Sequence, residues 1–247
     1  MYFRDLKLLV LCSVFILIPS SVNSENKEPD SSFKKTPSSA TPIDCPLRKK
    51  GVVHDHSKPF KHTDKYIDFL EREDRIKWQK PEVVIEALNF SGDEKIADVG
   101  AGSGYFSFPF ASALPQGKVY AIDIEPEMIR YIHHKAMMND IENIEAILAE
   151  PDDPKIPEDS DIVFICDVLH HIENKSLWLE RIYNQMQKGA QLILIEFKEG
   201  DLPEGPPEQI KISQTEIIRI VISAGFTRIS VDTELLPYQA FLVFQKQ

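Results

Sequence analysis

The sequence is poor in cysteine, and its cysteines are badly placed for a disulfide framework. It has three: Cys12 lies in an apolar N-terminal stretch, Cys45 in a polar segment and Cys166 in an apolar run that predicts a strand. Small domains stapled by disulfides carry even sets of cysteines at regular spacing. The sequence does not indicate that class, and it lacks the paired cysteines that would suggest thiol–metalloid chemistry.

Positive charge is also scarce. The chain has 28 Lys and Arg against 39 Asp and Glu, a formal net charge of −11. Proteins that bind nucleic acid broadly need basic surface, because phosphate contacts dominate their affinity. The acidic balance therefore argues against a broad nucleic-acid surface, although a small local basic patch stays open. It favours a small-molecule or protein partner and leaves the oligomeric state undetermined.

A long membrane-spanning run is missing, but residues 1–24 predict an export signal. Arg4 and Lys7 supply positive charge, residues 8–18 are apolar, Pro19 ends that run, and small residues follow at 22–24. The apolar run is shorter than the roughly 20 residues that span a bilayer. We expect an exported protein with no transmembrane segment after cleavage. An uncleaved membrane anchor and a cytoplasmic protein with a misassigned start are the alternatives.

Apolar residues are rare between the signal and the folded part. Residues 25–50 are rich in Ser, Pro, Lys and Glu and predict a disordered linker. A helical lead-in is predicted over residues 51–92, with one amphipathic helix over 63–78 and another that has Pro81 in its first turn. His54, His56 and His62 precede that helix without a supporting helix or strand pattern, so no metal site is predicted.

Residues 93–247 alternate between short apolar runs and amphipathic helices. Alternation of this kind predicts a doubly wound, parallel α/β sheet with helices on both faces. The last two strands have no helix between them and must be antiparallel, since parallel neighbours need a long connection. The strands are expected at 96–99, 118–123, 144–148, 161–166, 191–196, 226–231 and 238–244, and the main helices at 105–114, 126–138, 176–186 and 213–224.

The first strand runs into three glycines at alternate positions, Gly100, Gly102 and Gly104. Glycine has no Cβ, so such a turn can bend sharply and let a ligand lie against bare backbone amides. The dinucleotide fingerprint needs its third glycine one place later, where Tyr105 stands. Asp98 precedes the turn, and an acid suits a cationic ligand better than a pyrophosphate. The pattern predicts a nucleotide-like ligand with positive charge.

Asp98-x-Gly100-x-Gly102-x-Gly104, between a strand and a helix, resembles the first motif of class I S-adenosylmethionine-dependent methyltransferases. The resemblance covers about residues 63–247 and implies a Rossmann-like, seven-stranded sheet with an antiparallel last strand. S-adenosylmethionine is the cofactor that it implies. The sequence is most similar to bacterial methyltransferases that share Trp78-Gln79-Lys80-Pro81, His170-His171 and a closing Leu236-Pro237-Tyr238-Gln239.

The resemblance assigns cofactor contacts to residues that follow the strands. It places Asp98 near the amino acid portion and Asp123, about 20 residues on, at the ribose hydroxyls. The alternative for Asp123 is a cap for the next helix. Ile124 is expected against the adenine and Glu150 at its amino group, with Asp152 as the alternative to Glu150. The predicted cofactor-binding residues are Asp98, Gly100, Ala101, Gly102, Gly104, Asp123, Ile124, Glu150 and Asp167.

Three ionisable residues follow the fourth strand, where the family places the transferred methyl group. Asp167, His170 and His171 are the candidate catalytic residues, because an imidazole titrates in the range useful for a general base. The alternatives are that one histidine only packs or caps a helix, and that alignment of the reactants makes a base unnecessary.

The sequence thus predicts an S-adenosylmethionine-dependent methyltransferase acting on a small-molecule or protein acceptor. A non-catalytic binding protein that keeps the fold is a second hypothesis, motivated by the export signal, since the cofactor is made in the cytosol. An NAD-dependent oxidoreductase is a third, and Tyr105 disfavours it.

Overall fold

The computed structural model describes residues 63–247. The predicted signal peptide (1–24), the linker (25–50) and the three histidines of the lead-in lie outside the described residues. Between residues 63 and 247, no helix has the length and apolar character needed to cross a bilayer. The same residues contain no group of three or more His, Cys, Asp or Glu arranged to hold a metal ion.

Seven strands form one sheet in the order β3-β2-β1-β4-β5-β7-β6. Strands β1 to β5 pair in parallel, and β7 runs antiparallel to both β5 and β6. The predicted fold class is confirmed. The strands are β1 (Lys95–Val99), β2 (Lys118–Asp123), β3 (Ile144–Leu148), β4 (Ile162–Cys166), β5 (Gln191–Phe197), β6 (Thr227–Asp232) and β7 (Gln239–Gln245).

The strand order reverses at β1, which lies between β2 and β4. Val99 is in register with Ile122 of β2 and Ile165 of β4. The residues that follow these three positions therefore leave the sheet at the same level. In open α/β sheets, ligands bind at this kind of switch point, beyond the carboxyl ends of the strands.

Helices cover both faces of the sheet because successive strand residues point to opposite sides. Val163 and Ile165 of β4 are buried against the two helices before β5 and β6. Phe164 points the other way, with its ring centroid 4.9 Å from those of Phe106 and Phe110. The helices are α1 (Thr63–Leu70), α2 (Ile76–Gln79), α3 (Pro81–Leu88), α4 (Ser107–Ala113), α5 (Pro126–Met138), α6 (Lys175–Gln185) and α7 (Gln214–Ser223).

The prediction of one helix over residues 63–78 is wrong, since α1 and α2 are separate helices. The break falls at Arg72, whose ψ of 139° is extended. Its guanidinium pairs with Glu204 at 2.5 Å, and Glu71 pairs with Lys135 of α5 at 2.5 Å. These long-range ion pairs hold the segment between α1 and α2 to the rest of the domain. Local amphipathicity does not predict such contacts.

Candidate active site

A cavity of about 680 Å³ lies over the carboxyl ends of β1, β2 and β4. Its walls come from the glycine turn after β1, the residues after β2 and β3, the turn after β4, the connection between α1 and α2, and the start of α6. Ligand pockets typically measure ~300–1,000 Å³. The cavity therefore has the position and the size of a cofactor site.

The glycine turn has a backbone that only glycine adopts readily. Gly100, Gly102 and Gly104 have φ values of 80°, 56° and 81°, in the left-handed region that a Cβ disfavours. A Cβ on Gly100 would lie 2.3 Å from Cγ2 of Val168, and one on Gly104 would lie 2.7 Å from the Phe108 ring. The turn is thus packed too closely against its neighbours for side chains at these positions.

Asp123 connects the glycine turn to α5. Its Oδ2 accepts a hydrogen bond from the Gly102 amide at 2.8 Å, and its Oδ1 accepts from the Glu125 amide at 2.9 Å. Glu125 precedes α5 and no side chain caps that helix, so Asp123 does not act as its cap. Each carboxylate oxygen has a second lone pair that can accept from a ribose hydroxyl. Burial raises the pKa of Asp123, and the amide hydrogen bonds partly offset that effect. The residue lines the cavity.

Asp98 lies beneath the turn rather than at the cavity wall. It is 3% exposed, and its Oδ2 accepts from the Ser107 hydroxyl at 2.5 Å. Burial raises the pKa of this carboxyl to about 7, with the Ser107 hydrogen bond opposing and the charge of Asp123 reinforcing the shift. Any effect of Asp98 on a ligand is therefore electrostatic and acts through the turn.

The predicted adenine residues also line the cavity. Ile124 is half exposed at the rim, and Glu150 and Asp152 both contribute to the wall. Each acid also has a cationic partner: Lys155 lies 2.9 Å from Glu150, and Arg181 lies 2.8 Å from Asp152. The structure brings both candidate acids to the cavity.

The two histidines after β4 have different surroundings. His171 lines the cavity, whereas His170 is turned away and its Nδ1 lies 2.8 Å from Oε2 of the buried Glu196. Burial lowers the pKa of His170, but the hydrogen bond and charge of Glu196 outweigh this and raise it overall. Burial and the neighbouring His170 lower the pKa of His171. The imidazole at the cavity is therefore the one that favours the neutral form.

Arg75 is a cavity residue that the sequence pattern did not reveal. Its guanidinium stacks 4.0 Å above the Tyr105 ring, and Nη1 donates to the Leu70 carbonyl at 2.7 Å. Its charge lowers the pKa values of both Asp98 and Asp167, against the effect of burial. A cation among buried acids would have been the signal, but the charged run 71–75 resembles the solvated face of the helix predicted over 63–78.

Two buried glutamines surround the candidate residue Asp167, which lines the cavity. Gln239 donates through Nε2 to Oδ1 and Oδ2 of Asp167, at 2.6 and 2.8 Å. Gln79 donates to Oδ2 at 3.2 Å. Burial raises the pKa of Asp167, the charge of Glu196 adds to the shift, and Arg75 and the two amides oppose it. Both glutamines lie in motifs that the chain shares with bacterial methyltransferases, and the sequence did not predict that either would contact Asp167.

Comparison with known proteins agrees with this geometry. The sequence model of a family described as a methyltransferase domain matches residues 90–234, more than half of the chain. This chain belongs to the class I S-adenosylmethionine-dependent methyltransferases. The family prediction and its cofactor, S-adenosylmethionine, are confirmed.

Relatives share the methyltransferase fold across large parts of the chain. An S-adenosylmethionine-dependent methyltransferase from Aquifex aeolicus is 26% identical with a TM-score of 0.68, over 74% of this chain and 98% of that one. The tRNA U34 carboxymethyltransferase of Ruthia magnifica subsp. Calyptogena magnifica is 30% identical over 139 residues, 55% of this chain and 42% of its own. Human N-acetylserotonin methyltransferase, solved with its cofactor, is 20% identical with a TM-score of 0.60, over 81% of this chain and 61% of its own. The methyltransferase spans less than half the length of the curated relatives it matches.

The residues of the methyltransferase cavity fit the cofactor. Ser103 in the glycine turn is 1% exposed, and its hydroxyl has no hydrogen-bond partner among the described residues, as expected where a polar ligand completes the site. The wall holds six carboxylates and two guanidiniums, an excess of negative charge that suits a cationic ligand and disfavours a pyrophosphate. The charged residues are Asp123, Glu125, Glu150, Asp152, Asp167, Glu173, Arg75 and Arg181.

We predict that Gly100→Ala lowers the affinity for S-adenosylmethionine at least about tenfold, because the new Cβ would displace the turn from Val168. Gly189→Ala is the matched control, since Gly189 also has a positive φ, of 86°, but nothing lies within 4 Å of its added Cβ. Calorimetric titration of both variants measures the difference. Equal affinities for the two variants would contradict the role of the turn.

We also predict a pH-dependent cost of burying Asp98. A carboxyl whose folded pKa is raised binds its proton more tightly in the folded state, so stability is highest below the unfolded pKa and falls as pH rises through the folded one. With a folded pKa of about 7 and an unfolded value of about 3.9, the ligand-free protein should lose on the order of 4 kcal/mol between pH 4 and pH 8, relative to Asp98→Asn. Urea unfolding of both proteins across that range measures the difference, and a constant difference would refute the shift.

Proposed function

We propose that the protein is an S-adenosylmethionine-dependent methyltransferase that acts on a small-molecule or protein acceptor. The observation that carries the proposal is the cavity at the switch point, which has the glycine turn on one side and the turn containing Asp167 and His171 on the other. When bound, the cofactor supplies a methyl group on a positively charged sulfur that is already a good leaving group. The protein has to bind it, align the acceptor and exclude water.

Each side of the cavity has a proposed task in holding the cofactor. Asp123 offers two carboxylate oxygens to the ribose hydroxyls, and Ile124 offers an apolar face to the adenine. Ser103 and the bare backbone of the glycine turn face the amino acid portion. Arg75 is the cation available for its carboxylate, because its Nε and Nη1 bind Gln79 and Leu70 while the guanidinium lines the cavity.

His171 is the proposed proton acceptor. Its lowered pKa favours the neutral imidazole, which can take the proton of an acceptor O–H or N–H group as the new bond to the methyl carbon forms. His170 acts behind it, anchored to Glu196 on β5, and supports the turn without touching the acceptor. Asp167 contributes charge in this proposal, because the amide hydrogen bonds to both its oxygens favour the ionised carboxylate.

The proposed class of acceptor is supported by the charge of the protein and by the apolar residues that line the cavity. An acidic wall and a net charge of −11 disfavour polyanionic acceptors. Tyr66 and Leu70 of α1 and Ile172 after β4 add apolar surface to the same cavity, which supports a small organic acceptor or a protein side chain.

The domain layout and the location are also proposals. We propose a signal peptide (1–24), a linker (25–50), a lead-in (51–92) and a methyltransferase domain (93–247) in an exported protein. The lead-in belongs to the functional unit in this proposal, because Leu70 and Arg75 line the cavity.

We predict that the protein binds S-adenosylmethionine and that Asp123→Asn weakens this binding roughly 10- to 100-fold, through loss of charged acceptors for the ribose hydroxyls. Asp232→Asn is a matched control: Asp232 follows the same local pattern at the end of β6, where its Oδ1 accepts from two backbone amides. Calorimetry with both variants measures the effect.

Undiminished affinity of Asp123→Asn would remove that residue from its proposed role, and a wild-type protein that binds no cofactor would refute the function. Formation of S-adenosylhomocysteine with a panel of amines, phenols and thiols separates an enzyme from a non-catalytic binding protein. The enzyme requires acceptor-dependent product, and its loss in His171→Gln supports the proposed base.

A further inference from the structure

Two sequence motifs at opposite ends of the domain meet behind the active site. Gln79 ends α2 and Gln239 begins β7, yet Nε2 of Gln79 lies 3.3 Å from Oε1 of Gln239 across 160 residues of sequence. The preceding residues also approach, with the ring centroids of Trp78 and Tyr238 6.4 Å apart. Both glutamines are 0% exposed. A buried amide pair is costly unless its hydrogen bonds are made, so their placement calls for a specific partner.

That partner is the carboxylate of Asp167. We call Gln79 and Gln239 the amide clamp, because together they donate three hydrogen bonds to it, at 2.6, 2.8 and 3.2 Å. Asp167 has a φ of 58°, in the left-handed region that is uncommon for residues with a Cβ, although aspartate is enriched there. The clamp holds its carboxylate from two distant parts of the chain.

The clamp stabilises the carboxylate without cancelling its charge. Buried carboxylates are usually paired with a cation, but these donors are neutral. Arg75 is the cation that acts on Asp167, and its hydrogen bonds go to Gln79 and the Leu70 carbonyl instead.

The other ionisable groups that act on this region do not supply positive charge in direct contact. Glu196 on β5 is itself an acid. Burial lowers the pKa of His170, whereas Glu196 and then the charge of Asp167 raise it, and its Nδ1 hydrogen-bonds Glu196 rather than Asp167. Asp98 on β1 is held by Ser107, and the Cys166 thiol on β4 is buried with its pKa raised well above the usual value by burial. Asp167 therefore lies at the cavity wall as an incompletely compensated acid.

We propose that the amide clamp positions Asp167 as a fixed negative charge beside the reacting end of the cavity, and that this charge favours the sulfonium cofactor over its uncharged thioether product. The inference rests on the proposed function. Transfer forms the bond between acceptor and methyl carbon and leaves the carbon–sulfur electron pair on sulfur. The sulfur thereby loses its charge, and with it the attraction to Asp167, which promotes product release.

The cofactor and its product provide a direct measure of this effect. S-adenosylmethionine and S-adenosylhomocysteine share the adenine, ribose, ammonium and carboxylate groups, so the ratio of their affinities isolates the methyl group and the charge on sulfur. Burial raises the pKa of Asp167, and a nearby cation favours the ionised carboxylate. The ratio should therefore shift towards S-adenosylmethionine as pH rises through the pKa of Asp167.

The experiment is calorimetric titration of the full chain with each nucleoside at pH 5.5, 6.5, 7.5 and 8.5. Asp167→Asn should lower the affinity ratio about tenfold at pH 7.5 and flatten its pH dependence. Gln239→Met and Gln79→Met remove donors that favour the ionised form, so they should move the rise in the ratio to higher pH. Gln245→Met is the matched control on the same strand, because its amide donates to the Gly189 carbonyl at the opposite end of β7.

Two results would overturn the proposal. One is an affinity ratio in Asp167→Asn equal to that of the wild type at every pH. The other is an equal loss of both affinities in the methionine variants with no movement of the pH profile, which is the result for a merely structural clamp. If the methionine variants do not fold, the affinity ratio measured for Asp167→Asn is by itself the test of the proposal. A wild-type protein that binds neither nucleoside would refute the proposed function itself, whereas a wild type that binds both, with a ratio that Asp167→Asn leaves unchanged, refutes only the clamp.

Discussion

The close approach of the glycine turn to the chain after β4 is the constraint on which the site depends. A Cβ on Gly100 would lie 2.3 Å from Val168, so β1 can leave the sheet beside β4 only if this position has no side chain. The Gly102 amide then reaches Asp123 at the end of β2, which places the ends of three neighbouring strands around one cavity. The sheet aligns the ends of these strands, and the glycine turn lines a cavity beside them.

Charge is distributed around the cavity in a way that folding alone does not favour. Asp98 and Asp167 are buried with Arg75 as a shared cation, and burying acids without full pairing costs stability. The cofactor named by the family brings an ammonium and a sulfonium, which are the missing positive charges. The ligand-free protein therefore keeps an unfavourable electrostatic arrangement that binding relieves, as is common at functional sites.

Local patterns were sufficient for the central part of the domain. The predicted bounds of β2, β3 and α5 agree with the structure, because a buried apolar strand, or a proline at the first turn of a helix, is encoded by adjacent residues. The glycine turn and Asp123 were predicted to lie at the cavity for the same reason, since the turn follows β1 directly and Asp123 ends β2. Neighbouring residues determine these features, so the sequence displays them.

Features set by long-range contacts were not visible. The break between α1 and α2 depends on Glu204, 132 residues away. The sequence places His170 and His171 side by side, and only the position of Glu196 on β5 shows which one turns away from the cavity. The clamp on Asp167 joins residues 160 positions apart. The residues next to each glutamine do not indicate its distant partner, so a single sequence does not predict this contact.

The most direct test of the account is a crystal structure of the protein with S-adenosylhomocysteine. We expect both ribose hydroxyls within hydrogen-bond distance of Asp123, the amino acid portion along residues 100–104, and the sulfur directed towards the turn that contains Asp167 and His171. A nucleoside bound elsewhere, or a glycine turn that closes the cavity against it, would contradict the account.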